Sequence, residues 1–357
     1  MGLIRLYLAV SVLIFHYQVK TESLTFINSL FINSHIAINT FFLMSGFYIS
    51  LGLNNRYKDP NQNITFYIGR ALRLWPTYLI SLLLLIPTGK LQAVAQWILE
   101  LPATLKYLAI FSNITMIGND LLVHLSAVDG RTVFSEYGID PDHNGSSYIL
   151  NFPSWSLSVE IMFYIAAPFI VRSLRTSLMI LTLSIVSCIY VKYINPDITT
   201  LFRTDLYYPN IFIYFGLGIL GYRLSETAKI KPALDTIKTF TPFYLLSALA
   251  LPNNYSWLYI GLSLAIPTLF ELTKKNNFDK FLGDLSYPIY ILHMPIALLI
   301  VWALDIQHAP TFWLLFCVLF ASALIVLFVE RPIDRFRYHF FKVNRPPLRH
   351  EHDISRT

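Results

Sequence analysis

Apolar stretches close to twenty residues long recur along this chain, and no other feature constrains its fold so strongly. They fall at about 3–19, 34–53, 73–88, 153–171, 177–194, 208–223, 240–252, 255–271, 285–304 and 311–329. Crossing ~30 Å of hydrocarbon as an α-helix takes ~20 such residues, and in lipid every backbone amide must be satisfied internally. Charged residues make up only 13% of the 357 positions, against roughly 25% in soluble domains, too few to coat so much apolar side chain in water. The sequence therefore reads as an all-α, polytopic membrane protein with about ten transmembrane helices. The stretch 91–117 is interrupted by Pro102 and Lys106 and reads as re-entrant, interfacial or a tight hairpin. The first span reads as retained, because Arg5 and His16 interrupt it and no small-residue cleavage pattern follows.

Charge sorts the connections. Lys20, Lys90, Lys106, Arg131, Lys192 and Arg203 fall on one side, and the other 21 of the 27 Lys and Arg residues on the opposite side. The positive-inside bias then places both termini in the cytoplasm. The polar connection 118–152, with Asp129, Glu136, Asp140, Asp142 and His143, is external on this reading. Residues 1–335 form the integral domain, and the basic tail 336–357 suits an anionic inner leaflet. The net charge of +6 is thus a membrane signature, and no nucleic-acid partner is called for. Cys188 and Cys317 both lie in apolar runs, without basic neighbours that would make either a reactive thiolate.

An ionisable residue inside a span is costly unless something compensates it, and so marks a candidate site. Arg5 and His16 are eleven residues apart, about three turns, and share one helix face with ~16 Å between them. They read either as two ends of a substrate path or as a snorkelling arginine and a hydrogen-bonded histidine. Ser45-Gly46 within Phe41-Phe42-Leu43-Met44-Ser45-Gly46-Phe47 permits close helix approach or a ligand contact. Arg70 and Arg73, one turn apart before Trp75 and Pro76, suit bidentate binding of polyphosphate oxygens or plain membrane anchoring. At the external mouth of the fourth span, Ser156 and Glu160 follow Trp155 and are neighbours at i, i+4, as a capping pair or as a carboxylate able to orient His16. Ser286, Tyr290 and His293 share a face of a later span, which puts His293 near mid-membrane. Nothing clusters as a metal site, and no metal is expected.

In order and content these elements resemble the acyltransferase family 3 membrane proteins, which O-acylate cell-surface polysaccharides and related acceptors. The matching elements are Arg5-x10-His16, the Phe-Phe-x-x-Ser-Gly-Phe run, Arg70-x-x-Arg73-x-x-Pro76, Trp155-Ser-Leu-x-x-Glu160, Ser286-Tyr-x-x-Tyr290-x-x-His293-x-Pro295 and Glu330-Arg-Pro332. Three positions depart from the family pattern: Asn39 stands where an Asp is frequent, Val159 replaces the first of two Glu, and Gly69 thins the basic run. The resemblance implies transfer of an acyl group, usually acetyl, from acetyl-CoA or another acyl-CoA to a hydroxyl of a surface or lipid-linked glycan. It also implies a multi-pass protein of the bacterial cytoplasmic (inner) membrane. Arg70 and Arg73, with Arg5, would hold the coenzyme's phosphates. His16 would be the general base, since imidazole suits proton abstraction at neutral pH. Glu160 would orient it, and Tyr290 or His293 would donate to the thioester oxyanion. Ser45, Trp155 and Ser156 are further candidate substrate contacts. The competing reading is a secondary transporter or flippase, with His and Glu carrying protons or binding sugar.

Overall fold

The computed structural model describes residues 1–17, 29–134, 144–195, 208–229, 232–252 and 254–340. Glu136, Asp140, Asp142 and His143 of the polar connection, the cations Lys20, Arg203 and Lys231, and the tail from 341 onward lie outside them.

Each expected apolar stretch contains a helix. In chain order they are α1 (Gly2–His16), α2 (Ser34–Leu51), α3 (Asn63–Leu83), α4 (Lys90–Glu100), α5 (Ala103–Thr115), a single turn α6 (Asn119–Leu122), α7 (Ser154–Ile170) and α8 (Leu174–Ile189). They continue as α9 (Tyr208–Ala228), α10 (Ala233–Ala250), α11 (Ser256–Thr273), α12 (Asn277–Leu304), α13 (Thr311–Ile325) and α14 (Arg331–Phe340). Five are long and apolar enough to cross a membrane, counting α2, α8 and α13 with the wider turns that extend them, together with α11 and α12. The apolar α1 and α7 are shorter. The interrupted stretch 91–117 is the helical pair α4 and α5, broken at Leu101-Pro102, where Pro102 stands as the N-cap of α5. Side-chain caps set other starts: Asn33 accepts from the His35 amide at α2, and Asn276 from the amides of Phe278 and Asp279 at α12.

Two helices begin earlier than hydropathy alone places them. α3 starts ten residues before the expected 73, so Arg70 and Arg73 sit well inside it rather than at its entrance. They are tolerated there because α3 packs on α7, α12 and α14, which keep the guanidinium groups within protein. α12 starts at Asn277 rather than 285, since Asp279 in its first turn is engaged by α1. Its carboxylate accepts from the Gly2 amide at 2.7 Å and the Leu3 amide at 2.9 Å, an anion at a helix N-terminus.

α2 and α9 form the most extensive helix contact, and α1 lies between α2 and α12. The α2–α9 crossing is a reciprocal pair of glycines. A Cβ on Gly46 would stand 2.2 Å from the Phe215 carbonyl oxygen, and one on Gly218 would stand 1.9 Å from that of Leu43. Ala9, Leu13, Leu43, Phe215, Leu217, Ile289 and Ile291 are fully buried in the resulting core. Outward faces of α8, α10, α11 and α13 expose Leu183, Leu245, Leu249, Leu264, Phe316 and Phe320, an apolar rim suited to lipid.

The only strands among the described residues form a hairpin, β1 (Leu125–Val128) against β2 (Arg131–Phe134). Its turn residues Asp129 and Gly130 both have positive φ, as an Asp-Gly hairpin turn requires. The boundary expected at 335/336 falls within α14. Arg337, beyond that boundary, is buried and donates to the Gly69 carbonyl of α3 at 3.2 Å.

Candidate functional site

α1 and α12 run parallel and in register, which decides where His16 and His293 meet. Residues 2 and 3 contact Asp279 at one end, and fourteen residues along α12 the His293 ring meets His16, centroids 5.3 Å apart and nearly perpendicular. That interval rises ~21 Å. His293 therefore stands level with His16, near the middle of the 28-residue α12. His16 is exposed, whereas His293 is wholly buried, with the Tyr17 and Tyr290 rings also against it.

The hydrogen bonds revise the roles expected of Tyr290 and His293. His293 Nδ1 lies 2.7 Å from the Tyr290 carbonyl oxygen. A carbonyl only accepts, so Nδ1 carries the proton and the neutral ring presents a lone pair at Nε2. Nε2 is buried without a hydrogen-bond partner among the described residues. In this form it is an acceptor and cannot donate to an oxyanion. The Tyr290 hydroxyl is 2.7 Å from Ser156 Oγ and 3.2 Å from the Pro153 carbonyl oxygen, which Ser156 also approaches at 3.1 Å. Whichever hydroxyl donates to which, both protons are spent inside this triangle. Tyr290 and Ser156 thus fix α7 against α12, beside the histidines.

From that level α7 carries a column of polar groups down the site. Glu160, one turn below Ser156, accepts hydrogen bonds from Ser45 of α2 and from Tyr164, one further turn along. Three residues from His293 to Tyr290 and four from Ser156 to Glu160 sum to ~10 Å of axial offset. Glu160 is therefore out of hydrogen-bond reach of His16, and the expectation that it orients this imidazole is not met. Ser45 reaches it because Gly46 turns against α9, leaving the neighbouring face of α2 toward α7. Phe41, one turn before Ser45, packs edge-on against Tyr290 from the same face.

The column ends among the arginines. The Arg70 guanidinium carbon lies over the rings of Phe66 at 5.6 Å and Tyr164 at 5.7 Å, within cation–π range of both. Its Nε is buried with no hydrogen-bond partner among the described residues. Arg5 and Arg73 are close enough to repel each other, and Asp284 attracts both; Glu160 adds its field at Arg5, and Glu330 at Arg73. Glu330 also accepts from Thr77 of α3 at 3.3 Å. Arg73 thus lies within the fields of both Arg5 and Arg70, among a set of carboxylates that the sequence did not connect to them. Trp155 is buried in the first turn of α7. Tyr164 is the site residue that sequence reading missed, although the i, i+4, i+8 run of Ser156, Glu160 and Tyr164 was there to be read. Arg337 carried no local signal, because its contact with α3 joins positions 268 residues apart.

Fold and site together define a helical membrane protein organised around a column of polar groups between its helices, guanidinium groups at one end and an open imidazole at the other. The family model described as an acyltransferase domain, that of acyltransferase family 3, matches residues 1–330, and the chain belongs to that family. Its activity class is accordingly that of a membrane acyltransferase. No curated protein and no solved structure matches the chain.

Proposed function

We propose that this protein moves an acyl group, in the simplest case acetyl, from acyl-CoA to a hydroxyl of a cell-surface or lipid-linked glycan. One observation carries the reading: Arg5 and His16 lie on one face of α1, ~16 Å apart, with the polar groups of Ser156, Glu160 and Tyr164 on α7 placed between their levels. An extended pantetheine arm spans a distance of that order. Its phosphates would lie among Arg5, Arg70 and Arg73, where planar guanidinium forks bind phosphate oxygens in pairs. The thioester would then reach the imidazole level, where His16 is open to an acceptor.

His16 takes the proton from the acceptor hydroxyl as its oxygen attacks the thioester carbonyl. The carbon–sulfur bond breaks, and the thiolate leaves with the proton held by the imidazolium. Ser45, Glu160 and Tyr164 belong to the donor half of the path. Ser156, Trp155, Tyr290 and His293 shape the acceptor half.

The chain would cross a bacterial inner membrane about ten times with both termini cytoplasmic. The strong bias of Lys and Arg to one side supports that orientation. Exposed aromatics at the opposite helix ends, Tyr193, Trp257, Trp302 and Trp313, form the kind of girdle that marks a membrane–water interface. Transfer of label from acetyl-CoA to glycan in membranes holding the wild-type chain tests the reading. Mass analysis of surface glycan with and without the protein identifies the acceptor. Glycan mass unchanged by loss of the protein, with no transfer from acetyl-CoA, would leave the transporter reading in its place.

A further inference from the structure

His293 makes two statements about its own chemistry. Its Nδ1 proton is committed to the Tyr290 carbonyl, and its Nε2 lone pair is buried with no partner among the described residues. A buried acceptor left unmade costs free energy, so something belongs against it. The side chain is wholly buried, so an acceptor glycan cannot reach Nε2 from outside, and the group nearest to outside in contact with it is the His16 ring. A linear N–H···N bond of ~3 Å between two imidazoles places their centroids about 5 Å apart. The observed separation is 5.3 Å, with the rings 76° apart in a T-shaped contact, so the distance suits such a bond and a turn of the His16 ring is what would complete it.

We infer that His293 is a positioning residue for His16: the two rings are in contact but not bonded as they stand, and a turn of the exposed His16 ring brings one of its nitrogens to donate to Nε2 of His293 and sets the other, as a lone pair, to the open side. This rests on the reading of His16 as the base. The tautomer of His16 is then determined by a chain of bonds that runs to the backbone. Tyr290 is held at its hydroxyl by Ser156 and Pro153, and its carbonyl holds His293. When His16 takes a proton, the bond to His293 becomes charge-assisted and strengthens, so it favours the transition state over the resting state. His293 has no contact with reacting atoms and moves no proton itself.

Two substitutions separate this role from simple packing. In His293→Asn the amide nitrogen stands where Nδ1 stood, keeping a donor for the Tyr290 carbonyl and removing the outer acceptor. In His293→Gln the amide oxygen reaches the Nε2 position and restores that acceptor. With the full chain in lipid nanodiscs and acetyl-CoA as donor, we expect His293→Asn to lower kcat about ten- to a hundred-fold, the size of one hydrogen bond to a charged group. KM for acetyl-CoA should stay within about two-fold, and His293→Gln should recover most of kcat. Equal losses in both variants, or a wild-type kcat in His293→Asn, would overturn the inference. His16→Ala, measured alongside, reports on the underlying reading: full activity there removes His16 as the base, whereas an inactive His16→Ala with an unimpaired His293→Asn removes only His293. A second readout needs no turnover. Nitrogen-15 spectra of histidine-labelled protein, assigned by difference with His16→Ala, should show His16 as one fixed neutral tautomer, averaging between two in His293→Asn. Averaged His16 signals in the wild type would contradict the inference.

Discussion

Replacing Arg70 should weaken acyl-CoA binding by an amount that its surroundings allow to be worked out. Its guanidinium lies within cation–π range of Phe66 and Tyr164, and no other described residue hydrogen-bonds its buried Nε. A phosphate held by this group gains charge-assisted hydrogen bonds, and losing them costs ~1.5–3 kcal/mol. Since each 1.4 kcal/mol is ten-fold in affinity, Arg70→Gln should raise Kd for acetyl-CoA by roughly 10- to 100-fold. Arg70→Lys keeps the charge but gives up the planar fork that binds two phosphate oxygens at once. A lysine ammonium keeps the cation–π attraction but binds phosphate as a point charge, so lysine should recover only part of the loss. Calorimetric titration of the detergent-purified chain with acetyl-CoA measures both variants, and Arg73→Gln provides the companion measurement. Unchanged Kd in Arg70→Gln and Arg73→Gln would refute the donor-site argument. Full recovery by Arg70→Lys would refute the part that rests on guanidinium geometry.

Two further outcomes follow from the packing and the charge pattern. Gly218→Val would put a Cβ 1.9 Å from the Leu43 carbonyl oxygen, backbone that cannot yield without separating α2 from α9; it should cost at least ~1–3 kcal/mol and lower the melting temperature seen by size-exclusion thermostability. Gly261→Ala in α11 meets nothing within 4 Å and, by ordinary helix propensity, should be neutral or stabilising by up to ~1 kcal/mol, so equal destabilisation of both variants would contradict the crossing described here. A reporter inserted at the exposed Asp129-Gly130 turn should be accessible only from outside intact cells, and a cytoplasmic signal would invert the orientation.

Much of the fold is written in local pattern, and the site only in part. Apolar runs located the helices, and the three-turn spacing of Arg5 and His16 put both on one face of α1. Periodicity also put Ser286, Tyr290 and His293 on one face. It could not supply the register between helices. That His293 meets His16 follows from Asp279 gripping the start of α1, a contact across nearly 280 residues. The partners of Glu160 depend on how α2 is rotated, and Gly46 fixes that rotation against a carbonyl of α9. Hydropathy misjudged the starts of α3 and α12 for one reason: it treats arginine and aspartate as facing lipid or water. Here Arg70, Arg73 and Asp279 face protein.

The central claim is that an open imidazole on α1 performs acyl transfer at the far end of a column that begins among arginines. Its most direct test is the rate at which purified His16→Ala transfers labelled acetyl from saturating acetyl-CoA to acceptor glycan. A general base contributes ~10²–10⁴-fold, so kcat should fall by that factor while acetyl-CoA binding, measured on the same sample, stays at its wild-type value. Wild-type turnover in His16→Ala would contradict the account.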